Sequence, residues 1–254
     1  MRGKNKIIWP VACTFVLMTL SSCSGLGRQI ADNQHSTTIV KNFSDEGIQL
    51  EISFLAGKAH NHPTFAVWLE DPDGHLLQTI FVTRSVATGY FNYGDAGDGR
   101  WQRQPGRSIR PAALPVWLHK REDVADGYVM PTPENPVADA YTGPTPKSSF
   151  NLSARTKTTL TNRFRLLVEV NQPWDWNRDW HNDRFPGEYN YRTSAQPSLI
   201  YAVDIDLSDI MPAYYLNPIG HGHPSGDDGK IYTDLSGHTT ATDIFRQIKV
   251  IVKR

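Results

Sequence analysis

Five histidines are the first residues with the right chemistry and spacing to weigh. His221 and His223 stand two apart in GHGHP, His60 and His62 two apart in HNHP, and His238 follows in the tail. Neutral imidazole ligates transition metals, and residues two apart on a strand share a face, so each pair could offer two nitrogens to one ion. Neither spacing is that of a known metal motif, and no carboxylate cluster beside them is diagnostic. The Gly and Pro around His221 and His223 read equally as a turn whose rings bond backbone carbonyls, so no metal is assigned. The second group is aromatic: Trp174, Trp176 and Trp180, followed by Phe185, Tyr189 and Tyr191. Trp174 and Trp176 would project the same way on an extended chain. Interleaved with Asp175, Asn177, Arg178 and Asp179, they could form a platform for a sugar, a flavin ring or another flat ligand. The bland alternative is that they seal the mouth of the fold.

A third candidate is Asp139-Ala140-Tyr141-Thr142-Gly143-Pro144-Thr145. It resembles a flavin-attachment motif in which Asp, two free positions and then Ser/Thr-Gly-Ala-Thr direct a transferase to join FMN to the last Thr. Asp139, Thr142, Gly143 and Thr145 fit, and Gly beside Thr would let the backbone approach a bulky phosphate. Pro144 stands where the motif has Ala, which removes an N–H and biases Gly143 toward extended backbone. A proline-stiffened surface loop is the competing reading.

Other chemistries are excluded. The two cysteines, Cys13 and Cys23, cannot build a disulfide framework, a cysteine zinc site or a catalytic thiol, because Cys13 lies in an apolar leader. Asp204, Asp206, Ser208 and Asp209 lack the Gly and Glu of a calcium loop. Gly229-Lys230 has Pro224 where a phosphate loop needs Gly. Lys+Arg and Asp+Glu are both 26; without Arg2, Lys4 and Lys6 the remainder carries 23 basic against 26 acidic residues. That is no footprint for nucleic acid.

The elements that must position these groups are strands. Ile48, Leu50, Ile52 and Phe54 alternate with polar residues, and 65–70 and 76–83 flank Asp71-Pro72-Asp73-Gly74, a hairpin turn. Further strands are expected at 163–170, 199–205 and 247–252, with 38–42 at an edge. One short helix is expected from Pro115, with Leu114, Trp117, Leu118 and Val124 on one face and Gly127 as its stop. Between 88 and 155 the pattern breaks; eight of the 17 prolines fall between Pro105 and Pro146. The expected fold is all-β, an immunoglobulin-like two-sheet β-sandwich over 37–254, with this loop-rich insertion packed on one end.

The N-terminus reads as a targeting signal. A basic start, an apolar stretch over 7–20 too short to span a bilayer, and Leu20-Ser21-Ser22-Cys23 resemble the signal and lipobox of bacterial lipoproteins. Residues 1–22 are then removed, Cys23 carries the acyl chains, and the polar segment 23–36 is a flexible tether. Ser24 rather than Asp after the cysteine resembles the signal for outer-membrane sorting, facing the periplasm. The segments 65–83, 137–149, 163–177 and 220–243 together resemble a family of periplasmic bacterial proteins known as domain of unknown function 2271. That resemblance implies a sandwich fold and a place beside flavin transferases and PepSY-type membrane reductases. The function expected is a lipid-anchored, non-catalytic ligand- or partner-binding module linked to extracytosolic flavin redox or metal handling. The alternatives are an electron-transfer protein with FMN on Thr145, and a carbohydrate-binding or structural module.

Overall fold

The computed structural model describes residues 37–95, 101–121, 130–157, 160 and 162–253. The signal 1–22, the tether 23–36 and Cys23 lie outside the described residues, as do Val124 and Gly127. The chain opens with β1 (Thr37–Asn42), β2 (Gln49–Ala56), β3 (Thr64–Glu70), β4 (Leu76–Thr83) and the short helix α1 (Arg84–Thr88). Four two-residue strands follow: β5 (Tyr90–Phe91), β6 (Gly94–Asp95), β7 (Trp101–Gln102) and β8 (Gly106–Arg107). Next come α2 (Pro115–Lys120), β9 (Thr142–Gly143), β10 (Phe150–Arg155) and β11 (Arg163–Asn171). The last third holds α3 (Tyr189–Ser194), β12 (Leu199–Asp206), β13 (Tyr214–Tyr215), β14 (Asn217–His221) and β15 (Phe245–Lys253).

Period-two patterning becomes structure most plainly in β2, where Leu50, Ile52 and Phe54 are buried while Gln49, Glu51 and Ser53 are not fully so. That strand sits in a five-stranded sheet of order β1-β10-β2-β15-β13. The second sheet runs β14-β12-β11-β3-β4-β9. Their inner faces share one core, in which Phe54 stacks on its register partner Phe150 at 4.4 Å and Phe65 meets Phe81 at 4.9 Å. The expected all-β sandwich is therefore what forms. Strands β2, β3, β4, β10, β11 and β12 take the places of B, C, C′, E, F and G in an immunoglobulin sandwich. The flanking places differ: the C-terminal β15 lies antiparallel beside β2, and β1 runs parallel to β10, with Thr37 opposite Phe150.

The insertion is placed differently from the expectation. It does not cap one end; it covers the outer face of the six-stranded sheet. Val86, Ala87, Leu114, Val116, Trp117 and Leu118 pack against Ala66, Trp68, Leu167, Ile200 and Ala202 in a second core. Strands β3 and β11 are thus buried on both faces, which is why they read as nearly continuous apolar runs. The insertion also ends earlier than residue 155, because β10 is a central strand whose alternate Asn151, Ser153 and Arg155 made it look like loop. Helix α2 begins at Pro115 as expected but stops at Arg121, whose extended backbone ends it. Two further short helices, α1 and α3, carried too little periodicity to read.

A buried acid fastens α2 to the sheet. Glu169, fully buried on β11, accepts the backbone N–H of Val116 at 3.2 Å and of Trp117 at 2.7 Å, and the Ser198 hydroxyl at 2.6 Å. It takes the capping role that Leu114 cannot, since Leu has no side-chain acceptor. Burial pushes its pKa up to about 7 against the pull of those three bonds.

Candidate functional site

Two segments far apart in sequence meet at one end of the six-stranded sheet: 172–196 with the tryptophans, and 220–243 with the histidines. His221 closes β14 opposite Leu199 and then pairs with Tyr232, the two exchanging backbone N–H···O bonds of 2.8 Å. The glycines of GHGHP are explained by crowding. A Cβ on Gly220 would sit 2.5 Å from the Tyr232 carbonyl oxygen, and one on Gly222 2.6 Å from Ser198 Oγ. His223 turns the chain, its Nδ1 accepting the N–H of Ser225 and of Asp227 at 3.2 Å each.

The tryptophan loop is held in shape by unusual backbone and a polar clamp. Trp174 has φ +65° and Ala195 φ +62°, both in the region that favours glycine, and Asp175 bridges to Ala195 between them. Asn177 Oδ1 accepts the N–H of Asp179 and Trp180, while its Nδ2 donates to the Gly237 carbonyl at 2.7 Å and to Thr239 Oγ1 at 2.9 Å. Gln196 donates to Thr240 Oγ1 and accepts from the Thr239 N–H. Thr240 in turn donates to Asp175 Oδ1 at 2.6 Å. Loop and tail are therefore one unit, and Trp180 is pressed between them.

At the centre lie three rings. His221 and His238 have centroids 5.0 Å apart, and Trp180 stands 5.9 Å from the first and 5.4 Å from the second. Tyr232 stacks on His221, and the Arg184 guanidinium lies 3.8 Å from the Trp180 ring. His221 Nδ1 faces the Gly222 carbonyl at 2.8 Å and must donate to it, which leaves the lone pair on Nε2. Among the described residues, Nε1 of the buried Trp180 and the ring nitrogens of the buried His238 make no well-formed hydrogen bond, although the Leu235 backbone acts on the His238 ring. Burial, and next the neighbouring His221, hold His238 down to about 4; burial also lowers His221. Both shifts favour the neutral imidazole. The cluster can donate through the indole, accept through imidazole lone pairs, or ligate a cation.

The residues singled out in the sequence divide accordingly. Trp180 belongs to the cluster; Trp176 is half-buried edge-on to Tyr191, and Trp174 stands 46 % exposed. With Trp174 in left-handed backbone, Trp174 and Trp176 are not successive residues of an extended strand, and the three rings do not form one flat platform. The pair His221/His223 is split by role, and so is His60/His62. His60 is set against Phe245 and the Pro146 carbonyl, while His62 is exposed at positive φ. Thr142 and Gly143 are buried and form β9, hydrogen-bonded alongside Val82 and Thr83 of β4, whereas Asp139 is exposed and Thr145 half-buried. A Cβ on Gly143 would meet Phe81 Cε2 at 2.6 Å, so packing accounts for this glycine. Asp71, Asp73 and His75 bring three potential ligands together, but on an exposed turn where Asp71 accepts the N–H of Asp73 and His75. A cleft of about 590 Å³ beside β4 is walled by the apolar Leu76, Trp117 and Val137 but also by Gln78, Arg121 and Lys157, and its surface is mixed rather than apolar.

No protein-family profile, curated protein or solved structure matches the chain.

Sequence reasoning missed the partnership of His221 with His238, and with it Arg184 and Tyr232. The one local signal was the glycine on each side of His221, which marks a place where backbones approach closely.

Proposed function

We propose that this protein is a lipid-anchored module of the bacterial cell envelope, held through Cys23 at the periplasmic face of the outer membrane, which binds a ligand without chemistry of its own. The binding place in this reading is the junction of the tryptophan loop and the histidine tail. One observation supports it above others: among the described residues, Trp180 Nε1 is buried without a partner, and the ring nitrogens of the buried His238 beside it have no well-formed hydrogen bond, only the Leu235 backbone acting on the ring. Each such group costs about 1–3 kcal/mol unless something completes it, and native folds keep few of them. They sit on a rigid frame, clamped from both segments, which suits a preorganised site. The resemblance to the domain of unknown function 2271 family supplies the setting of extracytosolic metal handling or flavin redox, with a PepSY-type membrane reductase or a flavin transferase as partner.

The two other readings draw less support from the geometry. For FMN on Thr145, the motif's Thr142 and Gly143 are engaged in β9. For a sugar platform, Trp180 is covered and Trp174 stands apart from it in exposure.

The test is to extract the protein with detergent from the membranes of its own bacterium and examine what accompanies it. Acylation of the wild type by intact mass, loss of membrane retention in Cys23→Ala, and a co-purifying metal ion or small molecule are expected. A wild type that is soluble, unacylated and empty-handed overturns the reading.

A further inference from the structure

We infer that the cleft beside β4 is a docking site for an extended acidic segment of a partner protein, which adds itself as a strand to the edge of the six-stranded sheet. The cleft shares no residue with the junction of the tryptophan loop and the histidine tail, and the inference stands whether or not that junction holds a ligand.

Topology carries it. β4 pairs with β3 from Leu76 to Val82 but with β9 only at Val82 and Thr83. Among the described residues, no strand therefore lies beside 76–80 on the side away from β3. The cleft of about 590 Å³ is lined there by Leu76, Leu77, Gln78 and Thr79. Gln78 and Thr79 point to opposite faces of the sheet: the first bonds the Lys157 backbone, the second the Trp117 indole. A cleft that touches both must follow the open edge between them, where the backbone N–H and C=O groups have no ladder partner. Such an edge is the template on which an extended peptide adds itself to a sheet. Four residues of it run about 13 Å.

The two walls say which peptide fits. On the α2 side, Leu76, Trp117, Met130 and Val137 are apolar and belong to or pack on the second core. On the other side stand Gln78 and Lys157. Gln78 is only 4 % exposed; its Oε1 accepts the Lys157 N–H at 3.0 Å, which fixes the orientation of the amide and leaves Nε2 without a partner. A carboxylate docked at this wall brings the acceptor that the fold does not supply, and the exposed Lys157 ammonium brings the opposite charge. The described residues lining the cleft include two cations, Arg121 and Lys157, and no acid. Side chains of an added strand alternate between the walls, so the matching sequence alternates apolar and acidic residues. Because the edge lies within a cleft, it admits a single extended chain but not the edge of another folded sheet.

The experiment uses the full-length protein in detergent and a fluorescein-labelled hexapeptide of alternating valine and glutamate, followed by fluorescence anisotropy. Saturable binding is expected, and it should vanish when lysine replaces glutamate. Two complementary forms of the peptide, N-methylated at alternate amides, separate strand addition from simple ion pairing. At least one of them should fail, because the methyl groups stand where ladder bonds form. Gln78→Glu keeps the acceptor for the Lys157 N–H but sets a carboxylate where the free donor was. That change and Lys157→Glu should each weaken binding at least about tenfold, since like charges facing each other across an interface are strongly disfavoured. In the wild type, bound peptide should slow amide hydrogen exchange within 76–80, which tests the site without any variant. No saturable binding at millimolar peptide, equal affinity for the lysine peptide, or both N-methylated forms binding as tightly as their parent overturns the inference.

Discussion

The Glu169 carboxylate accepts the Trp117 backbone N–H at 2.7 Å, tying a strand of the six-stranded sheet to the helix that covers it. Glu169→Ala strands the N–H groups of Val116 and Trp117 and the Ser198 hydroxyl in a dry interior. The expected loss is about 2–4 kcal/mol in urea unfolding. A loss below about 1 kcal/mol would mean that α2 holds by apolar packing alone.

The same carboxylate sets a pH dependence. Burial raises Glu169 from an ordinary 4.5 to about 7 and lowers His238 from 6.5 to about 4. An acid raised on folding contributes stability that is complete below its unfolded pKa and lost as pH climbs through 7. A base lowered on folding contributes above its unfolded pKa and loses that as pH falls through 4. Between pH 4.5 and 6.5 the two slopes oppose each other. Relative to wild type, Glu169→Gln should gain stability with rising pH across that window, and His238→Gln should lose it. Stability curves of both variants running parallel to wild type would refute the assignment.

Gly143 lies against the Phe81 ring, and its role there competes with flavin attachment. Gly143→Ala should destabilise by about 1–3 kcal/mol through overpacking. Co-expression with an active flavin transferase should leave the intact mass without an FMN increment. An increment that disappears in Thr145→Ala would restore the electron-carrier reading.

The tryptophans should separate in solution. Trp180→Ala removes a buried ring and should cost about 3–5 kcal/mol. Trp174→Gly should cost little, because glycine relieves the positive φ while an exposed ring is lost. Acrylamide should quench Trp174 and hardly touch Trp180. Equal quenching and equal costs would contradict the burial difference.

The legible parts of the fold were those encoded locally. Alternation gave β2, and Asp71-Pro72-Asp73-Gly74 gave the hairpin, with Gly74 at φ +84° as that turn requires. What was hidden depends on pairing across long separations. β10 earns its central place from β1 and β2 on either side, not from its own half-polar sequence. His238 is a lone histidine in a polar tail until the His221–Tyr232 pairing and the Asn177 clamp fold that tail beside the tryptophan loop. Trp180 was legible as a candidate but not its burial, because helical or strand period says nothing about a loop fixed by Asn177 and Gln196.

The parallel course of β1 has a consequence for reach. Thr37 lies opposite Phe150, whose ring touches Phe65; Phe65 pairs with Val170, Val170 with Leu199, and Leu199 with His221. The folded body is therefore entered at the end that holds the histidines and tryptophans, whereas the antiparallel alternative would have started a strand's length away. If acyl chains hold Cys23, the 14 residues before Thr37 extend at most about 50 Å. In the lipid-anchored reading proposed above, cargo exchange would be confined to a zone within that reach of the bilayer, open to a donor or acceptor embedded there.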